Sequence, residues 1–407
     1  MSDVSGAAAS WAAVGRARDT GGDPFFRRIT GRPAPGEVLV EGMLAINAAS
    51  GDYLGLASDP RVREAAAAAA RDLGASCSGS PLVIGTWSVH AQLAEELADF
   101  LQRPAVLLAA TGFQANLTLA CLFGEDRAVI ADRHIHASLV DALRLGAAKN
   151  RRFRHNTPRH LAQLLEEASG QGLSPVVLTE GAFSLGGELA VLPEIADLGG
   201  RHAAMLIVDG AHDIGVLGPS GRGAGEHLGC EQKIDVLTGT FSKAFGAGGG
   251  FIAGSSELIE HCRVFGHAAV YSASMPPPTA AAALAALHII RDESERRAVL
   301  SHLAHRLHDG LAELGHVRPN WASPIVALPA GDADQCLHTW RAMLEAGVFV
   351  APFLPPGVPP GQSRLRLSVT AAHTDAHIDH ILEVVGQFLP SGDTAGVAAE
   401  PVPCPAS

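Results

Sequence analysis

The residues able to do chemistry gather around one lysine. In Thr238-Gly-Thr-Phe-Ser-Lys-Ala-Phe-Gly-Ala-Gly-Gly-Gly, Lys243 lies between hydroxyl residues and a glycine-rich run, just after an apolar strand pattern, in a chain where lysine is scarce. A lysine that forms a Schiff base must shed its proton, and a crowded, partly desolvated site lowers its pKa. Glycines let the backbone approach a flat cofactor, and Thr240 or Ser242 can hydrogen-bond a phosphate. A lone Ser-Lys pair more often marks a solvated loop, so the surrounding constellations carry the argument.

Upstream, Met205-Leu-Ile-Val-Asp-Gly-Ala-His closes an apolar strand with Asp209, and His212 follows three residues later. Open α/β sheets bind ligands at the carboxyl ends of their strands. There Asp209 can keep a pyridine nitrogen protonated, making the ring a stronger electron sink, and His212 can reach a phenolic oxygen. A turn or capping role for Asp209 is the plainer alternative. Gly112 and Phe113 stand at a strand-to-helix junction whose N–H groups suit a phosphate. His136 opens another helical stretch, where it either lies on an aromatic cofactor or faces solvent. In Arg364-Leu-Arg-Leu-Ser the alternation puts Arg364 and Arg366 on one face, and a guanidinium pairs bidentately with a carboxylate.

Short apolar runs must position these groups. Strand patterns cover Ala105 to Ala109, Ala128 to Ala131, Pro175 to Thr179, Ala204 to Val208, Ile234 to Leu237 and Gly250 to Ala253, alternating with helical stretches. That alternation predicts an α/β protein with a mostly parallel sheet. Helices are expected over Pro60 to Leu73, capped by Asp59, over Val89 to Leu101, and from near Phe113 and His136. After the break at Pro276-Pro277-Pro278, a long helical pattern runs from Thr279 to near Leu314. It leads into a strand near Ile325 to Leu328, a helix near Ala333 to Glu345, a strand Arg364 to Val369 and a helix from Thr374 to Phe388. The expected division is an N-terminal tail and arm over 1–58, a large domain over 59–275, a bridging helix and small domain over 276–390, and a flexible tail over 391–407. Residues 1–22 read as loosely ordered.

Composition narrows the partners. Hydrophobic residues make up 47% and charged residues 18%, as in a folded globular protein, and the net charge of −12 argues against nucleic acid. The six cysteines show no C-x-x-C pair, so neither a metal site nor a disulfide framework is expected. No signal peptide or membrane span is legible, and a cytoplasmic location is expected.

The ordered set of motifs resembles the α-oxoamine synthases, the fold type I pyridoxal-phosphate group that includes 8-amino-7-oxononanoate synthase, glycine C-acetyltransferase, 5-aminolevulinate synthase and serine palmitoyltransferase. The resemblance runs from Asp52-Tyr-Leu-Gly-Leu to Thr374. It rests on Thr111-Gly-Phe-Gln-Ala-Asn, His136-Ala-Ser-Leu, Thr179-Glu-Gly-Ala-Phe-Ser, Val208-Asp-Gly-Ala-His, Gly239-Thr-Phe-Ser-Lys and Tyr271-Ser-Ala-Ser-Met-Pro-Pro. It implies an aminotransferase-like fold, with a seven-stranded sheet between helices and a smaller α+β C-terminal domain. It implies pyridoxal 5'-phosphate held by Lys243, with Asp209 at the ring nitrogen, His136 on the ring, and His212 and Ser184 near the phenolic oxygen. Thr240 and the Gly112 and Phe113 amides would hold the phosphate. Ser272 and Ser274 would reach the neighbour's phosphate in a homodimer, and Arg366 would take the substrate carboxylate. The implied reaction condenses a small amino acid with an acyl thioester of coenzyme A or acyl carrier protein and releases carbon dioxide. Transamination, aldol cleavage or decarboxylation by the same fold type, and a non-catalytic cofactor-binding protein, are the rival readings. Gly51, Pro81 and Gly210 depart from the group's usual pattern.

Overall fold

The computed structural model describes residues 4–19, 23–317, 319 and 321–389, with side chains from residue 11 onward. Its strands in chain order are β1 (Ile29–Gly31), β2 (Glu37–Val40), β3 (Met43–Asn47), β4 (Ala105–Ala109), β5 (Arg127–Asp132), β6 (Lys149–Phe153) and β7 (Ser174–Glu180). They continue with β8 (Met205–Asp209), β9 (Val236–Thr240), β10 (Gly250–Gly254), β11 (Ile325–Pro329), β12 (Val348–Phe349), β13 (Ala351–Phe353) and β14 (Arg364–Ser368). The helices are α1 (Val4–Asp19), α2 (Pro60–Leu73), α3 (Ser88–Phe100), α4 (Gly112–Thr118), α5 (Ala137–Leu145), α6 (Pro158–Gly170) and α7 (Leu192–Arg201). After them come α8 (Ala224–His227), α9 (Ser256–Phe265), α10 (His267–Val270), α11 (Pro277–Asp292), α12 (Glu295–Glu313), α13 (Ala333–Glu345) and α14 (Asp375–Phe388).

Contacts divide the chain into two units. One comprises Leu56–Phe183 and Leu189–Arg297. It is built on a seven-stranded sheet in the order β4-β10-β9-β8-β7-β5-β6. Within β7, β8, β9 and β10 nearly every residue is buried, because helices cover both faces and the strands are correspondingly continuous apolar runs. Val129, Val176, Ile207, Val236 and Ile252 share one core with Leu119 and Leu139 from the covering helices.

The pairings of β5 through β9 are parallel, whereas β10 is antiparallel to both β9 and β4. The β9–β10 connection, Phe241–Gly249, is too short for the parallel crossover of about a dozen residues, so the chain must turn back. Two reversals leave β4 pointing the same way as β9. The carboxyl ends of β4, β5, β7, β8 and β9 therefore lie along one edge of the sheet, and the loop carrying Lys243 turns there.

Local chemistry explains the helix starts. Asp59 caps α2 by accepting from the Arg61 N–H, with Pro60 at the first helical position. The capping carboxyl is also paired with the Arg61 and Arg296 guanidiniums, and Arg61 reaches Glu293 as well. Glu293 adopts a non-helical conformation, and the single long helix expected after Thr279 is two helices, α11 and α12, parted at that residue. Strand β6, Lys-Asn-Arg-Arg-Phe, was not expected: it has no apolar run, because it is the exposed edge of the sheet, where basic residues discourage further pairing.

The other unit gathers the described residues up to Gly55, Ser184–Glu188 and those from Ala298 onward. It carries a sheet in the order β1-β2-β3-β12 and another in the order β11-β14-β13. The expected loose order of residues 1–22 is corrected by α1, an alanine-rich segment of good helix propensity that buries Ala13 and Val14. Its Arg16 bonds Asp334 of α13 through both guanidinium and carboxylate ends. Residues 391–407 lie outside the described residues.

Candidate active site

At the sheet edge where five strands end, a cavity of about 410 Å³ is lined by Gly112, Phe113, His136, Asp209, His212, Thr240, Ser242 and Lys243, together with Asn116, Ser138 and Glu180. Eight of the expected site residues thus meet in one place. They arrive from β4 through α4, from β5 through α5, from the end of β8, and from β9 with its following loop.

Asp209, 4% exposed, ends β8 with its carboxylate fixed from two sides. Its Oδ1 accepts from the Ala211 N–H at 2.9 Å, and its Oδ2 accepts from Asn116 Nδ2 at 2.7 Å. The other Asn116 amide hydrogen goes to Ser138 Oγ at 2.9 Å, while Asn116 Oδ1 accepts from Thr238 Oγ1 at 2.8 Å. Because a carboxylate accepts only, this network sets the amide orientation of Asn116. Every polar atom of that buried side chain is used, so Asp209 is presented to the cavity in one geometry.

The chain of bonds continues to His136, which N-caps α5: its Nδ1 lies 2.7 Å from Ser138 Oγ and accepts from the Ser138 N–H at 3.2 Å. Because Nδ1 accepts the Ser138 N–H it carries no proton, so the Ser138 hydroxyl donates to it. His136 is then neutral with its proton on Nε2. Burial lowers its pKa, Lys243 adds to the effect, and Asp209 opposes it. A neutral imidazole suits stacking on an aromatic ring.

Glycines determine how closely the walls approach. A Cβ on Gly112 would stand 2.8 Å from Thr240 Cβ, and one on Gly250 would stand 2.5 Å from Gly112 Cα. The first turn of α4 therefore packs directly against the end of β9. Thr111 caps that helix by accepting from Gln114 N, and the first-turn N–H groups of a helix have no intrahelical acceptor. Opposite them, Thr240 Oγ1 is 2.8 Å from Ser242 Oγ and donates to the Gly249 carbonyl at 3.0 Å. A fixed buried carboxylate, a neutral histidine, a lysine and a cluster of hydroxyls and amides fit a pyridine ring with an aldehyde and a phosphate.

Four expected residues are not among the lining residues of this cavity. Ser272 and Ser274 line a second, mostly apolar cavity of about 520 Å³, where Gln114 Nε2 donates to Ser272 Oγ at 2.6 Å. Ser184 and Arg366 belong to the other unit. There Arg366, on β14, donates from Nη1 to the Ser184 carbonyl at 2.8 Å and lies over the Phe353 ring at 5.0 Å. Its Nε is buried without a hydrogen-bond partner, and burial lowers its pKa. Asn116, Ser138 and Glu180 were not singled out from the sequence. Asn116 and Ser138 lie inside motifs that were recognised, but their use depends on contacts across 93 and 22 positions. Glu180, 2% exposed at the end of β7, is raised well above the usual carboxylate range by burial and then by Asp209.

Comparison with known proteins gives the family. Residues 45–385 match the family model for aminotransferase class I and II. An 8-amino-7-oxononanoate synthase of Thioalkalivibrio sulfidiphilus is 42% identical over 372 residues, 91% of this chain and 94% of the relative. A serine palmitoyltransferase of Caulobacter vibrioides is 38% identical, spanning 91% of this chain and 92% of its own. A solved structure of SPT with its PLP internal aldimine superposes with a TM-score of 0.89 at 33% identity, covering 93% of this chain and 96% of the other. A pocket of this composition at the strand ends, in a chain matched along nearly its whole length by such enzymes, places the protein in the aminotransferase class I and II family, among its pyridoxal-phosphate-dependent α-oxoamine synthases.

Proposed function

We propose that the chain condenses a small amino acid, glycine, alanine or serine, with an acyl thioester of coenzyme A or acyl carrier protein, releasing carbon dioxide and an α-aminoketone. The observation that carries this reading is the convergence of Lys243, Asp209, His136 and His212 on one cavity, in a chain similar to two enzymes of that group. When bound, pyridoxal phosphate supplies an electron sink for charge developing at the amino-acid Cα.

The chain's own residues do the rest. Lys243 holds the cofactor and then, as a free amine, takes the proton from Cα. Asp209, oriented by Asn116 and the Ala211 amide, keeps the proton on the ring nitrogen. Neutral His136 covers one ring face, and His212 donates toward the phenolic oxygen together with Ser184. The Gly112 and Phe113 amides, with Thr240 and Ser242, hold the phosphate. Arg366, whose buried Nε has no partner, takes the substrate carboxylate bidentately. A carboxylate held there is also the group that later leaves.

The same reading includes a homodimer in which Ser272 and Ser274 serve the neighbouring site. Supporting it, Leu82, which lines the second cavity, and its chain neighbours Val83 and Ile84 are 59–84% exposed, apolar surface of the kind that marks an interface. A cytoplasmic location is part of the proposal, and no helix among the described residues is long and apolar enough to cross a membrane. The test is thiol release from a panel of acyl thioesters with glycine, alanine or serine. Release dependent on one amino acid and on Lys243 supports the reading, and oxo-acid or aldehyde formation without thiol release contradicts it.

A further inference from the structure

Asp213 follows His212 on the loop after β8, is 1% exposed, and has no part in the roles assigned above. The Ala182 and Ala224 amides face its carboxyl, and no side chain bonds its Oδ2. Three glycines make room for the carboxyl: a Cβ on Gly181, directly after β7, would collide with Oδ2, one on Gly223, ahead of α8, would collide with Oδ1, and one on Gly210 would stand 3.0 Å from Oδ1. A Cβ on Gly210 would also stand 2.6 Å from Ile214 Cδ1. Backbone from three segments is thus shaped to admit one acidic group and meets it with two amides. Burying a carboxyl carries a desolvation cost that two amides offset only in part, and a niche built around one asks for a role.

We propose that Asp213 is a positioning residue of the cofactor pocket, supplying a second negative charge behind Asp209 that keeps the ring-nitrogen proton in place as the medium becomes alkaline. The inference rests on the reading that Asp209 holds that nitrogen. The groups acting on the Asp213 carboxyl are Asp209 from β8, Lys243 from the β9–β10 loop, and the Ala182 and Ala224 amides from the segments after β7 and at α8. On its own turn stands His212, Glu180 ends β7 just before Gly181, and Glu226 of α8 is occupied by the Ser220 and Arg222 amides. Burial pushes the carboxyl up to about 7 and Asp209 adds to this, while the two amides and Lys243 oppose it. Asp213 therefore gains its charge as pH passes neutrality, and a like charge beside Asp209 raises the proton affinity of what Asp209 holds.

The test is the dissociation constant of pyridoxal phosphate from the full-length chain between about pH 6 and 9.5, for the unmodified protein, Asp213→Asn, Asp213→Ser and Asp209→Asn. The expected result is that both Asp213 variants bind within about threefold of the parent at pH 6 but lose affinity about one pH unit earlier on the alkaline side, roughly a tenfold difference there. A packing role alone would weaken binding equally at every pH. Asp213→Ser covers the case in which the asparagine amide does not fit its niche. Curves for both variants running parallel to the parent, with Asp209→Asn weak throughout, would overturn this proposal alone. Parent-like binding by Asp209→Asn would overturn the reading of Asp209 and this inference with it.

Discussion

Asn116 is the residue whose removal should expose how the site works, because it touches no expected substrate and yet holds Asp209. Asn116→Ala deletes the 2.7 Å bond to Asp209 Oδ2 and also strips the buried partners of Ser138 Oγ and Thr238 Oγ1. A hydrogen bond to a charged group is worth about 1.5–3 kcal/mol, or roughly 10- to 100-fold in an equilibrium constant. The Asp209 share of the loss falls on the charged carboxylate, so pyridoxal-phosphate affinity should drop by about that factor. Loss of the Ser138 and Thr238 partners should lower the melting temperature of the cofactor-free protein. Water entering the space would place the effect at the lower end of the range. The assay is cofactor binding across pH, with circular dichroism verifying the fold. Affinity within threefold of the parent would refute the orientation of Asp209 through Asn116.

Other perturbations give separate outcomes. Gly112→Ala pushes a methyl group to within 2.8 Å of Thr240 Cβ, and overpacking of about 1–3 kcal/mol should appear in cofactor titrations as weaker binding. Arg366→Lys loses the bidentate fork, so KM for the amino acid should rise by about tenfold or more in steady-state assays while cofactor affinity stays within twofold. His373, buried with Nδ1 accepting from Thr370 N, has its pKa pushed down to about 4 by burial. Its folded pKa lies below the unfolded value, so the stability it contributes is present above about pH 6.5 and is lost as pH falls toward 4. His373→Asn should flatten urea-unfolding free energies in that window by up to about 3 kcal/mol.

Much of the sheet was legible because buried parallel strands are written as apolar runs: the expected Ala105 to Ala109 coincides with β4, and α2 and α13 begin and end as expected from Asp59-Pro60 and the amphipathic pattern. The strand expected over Ile234 to Leu237 extends instead from Val236 to Thr240, so Thr238-Gly-Thr240 is strand rather than loop. Glycine and threonine gave no apolar signal there, although all five residues are buried. Edge strand β6 and the short β12 and β13 had too few apolar residues to be read, and α1 was hidden by a small-residue composition that also describes a loose tail. Lysine, aspartate and histidine in the site were legible because their chemistry is distinctive. Asn116, Ser138 and Asp213 were not, since an asparagine, a serine and an aspartate become informative only when folding buries them and supplies their partners.

The central claim is that Lys243 holds pyridoxal phosphate. The chain contains three lysines, and Lys233 is paired with Asp197 on the surface while Lys149 is exposed on the edge strand β6. Borohydride reduction of the cofactor-loaded protein followed by peptide mass mapping tests the claim most directly. A phosphopyridoxyl group on Lys243 alone, absent after Lys243→Ala, is the predicted result. The group on Lys149 or Lys233, or no covalent adduct despite bound cofactor, would contradict it.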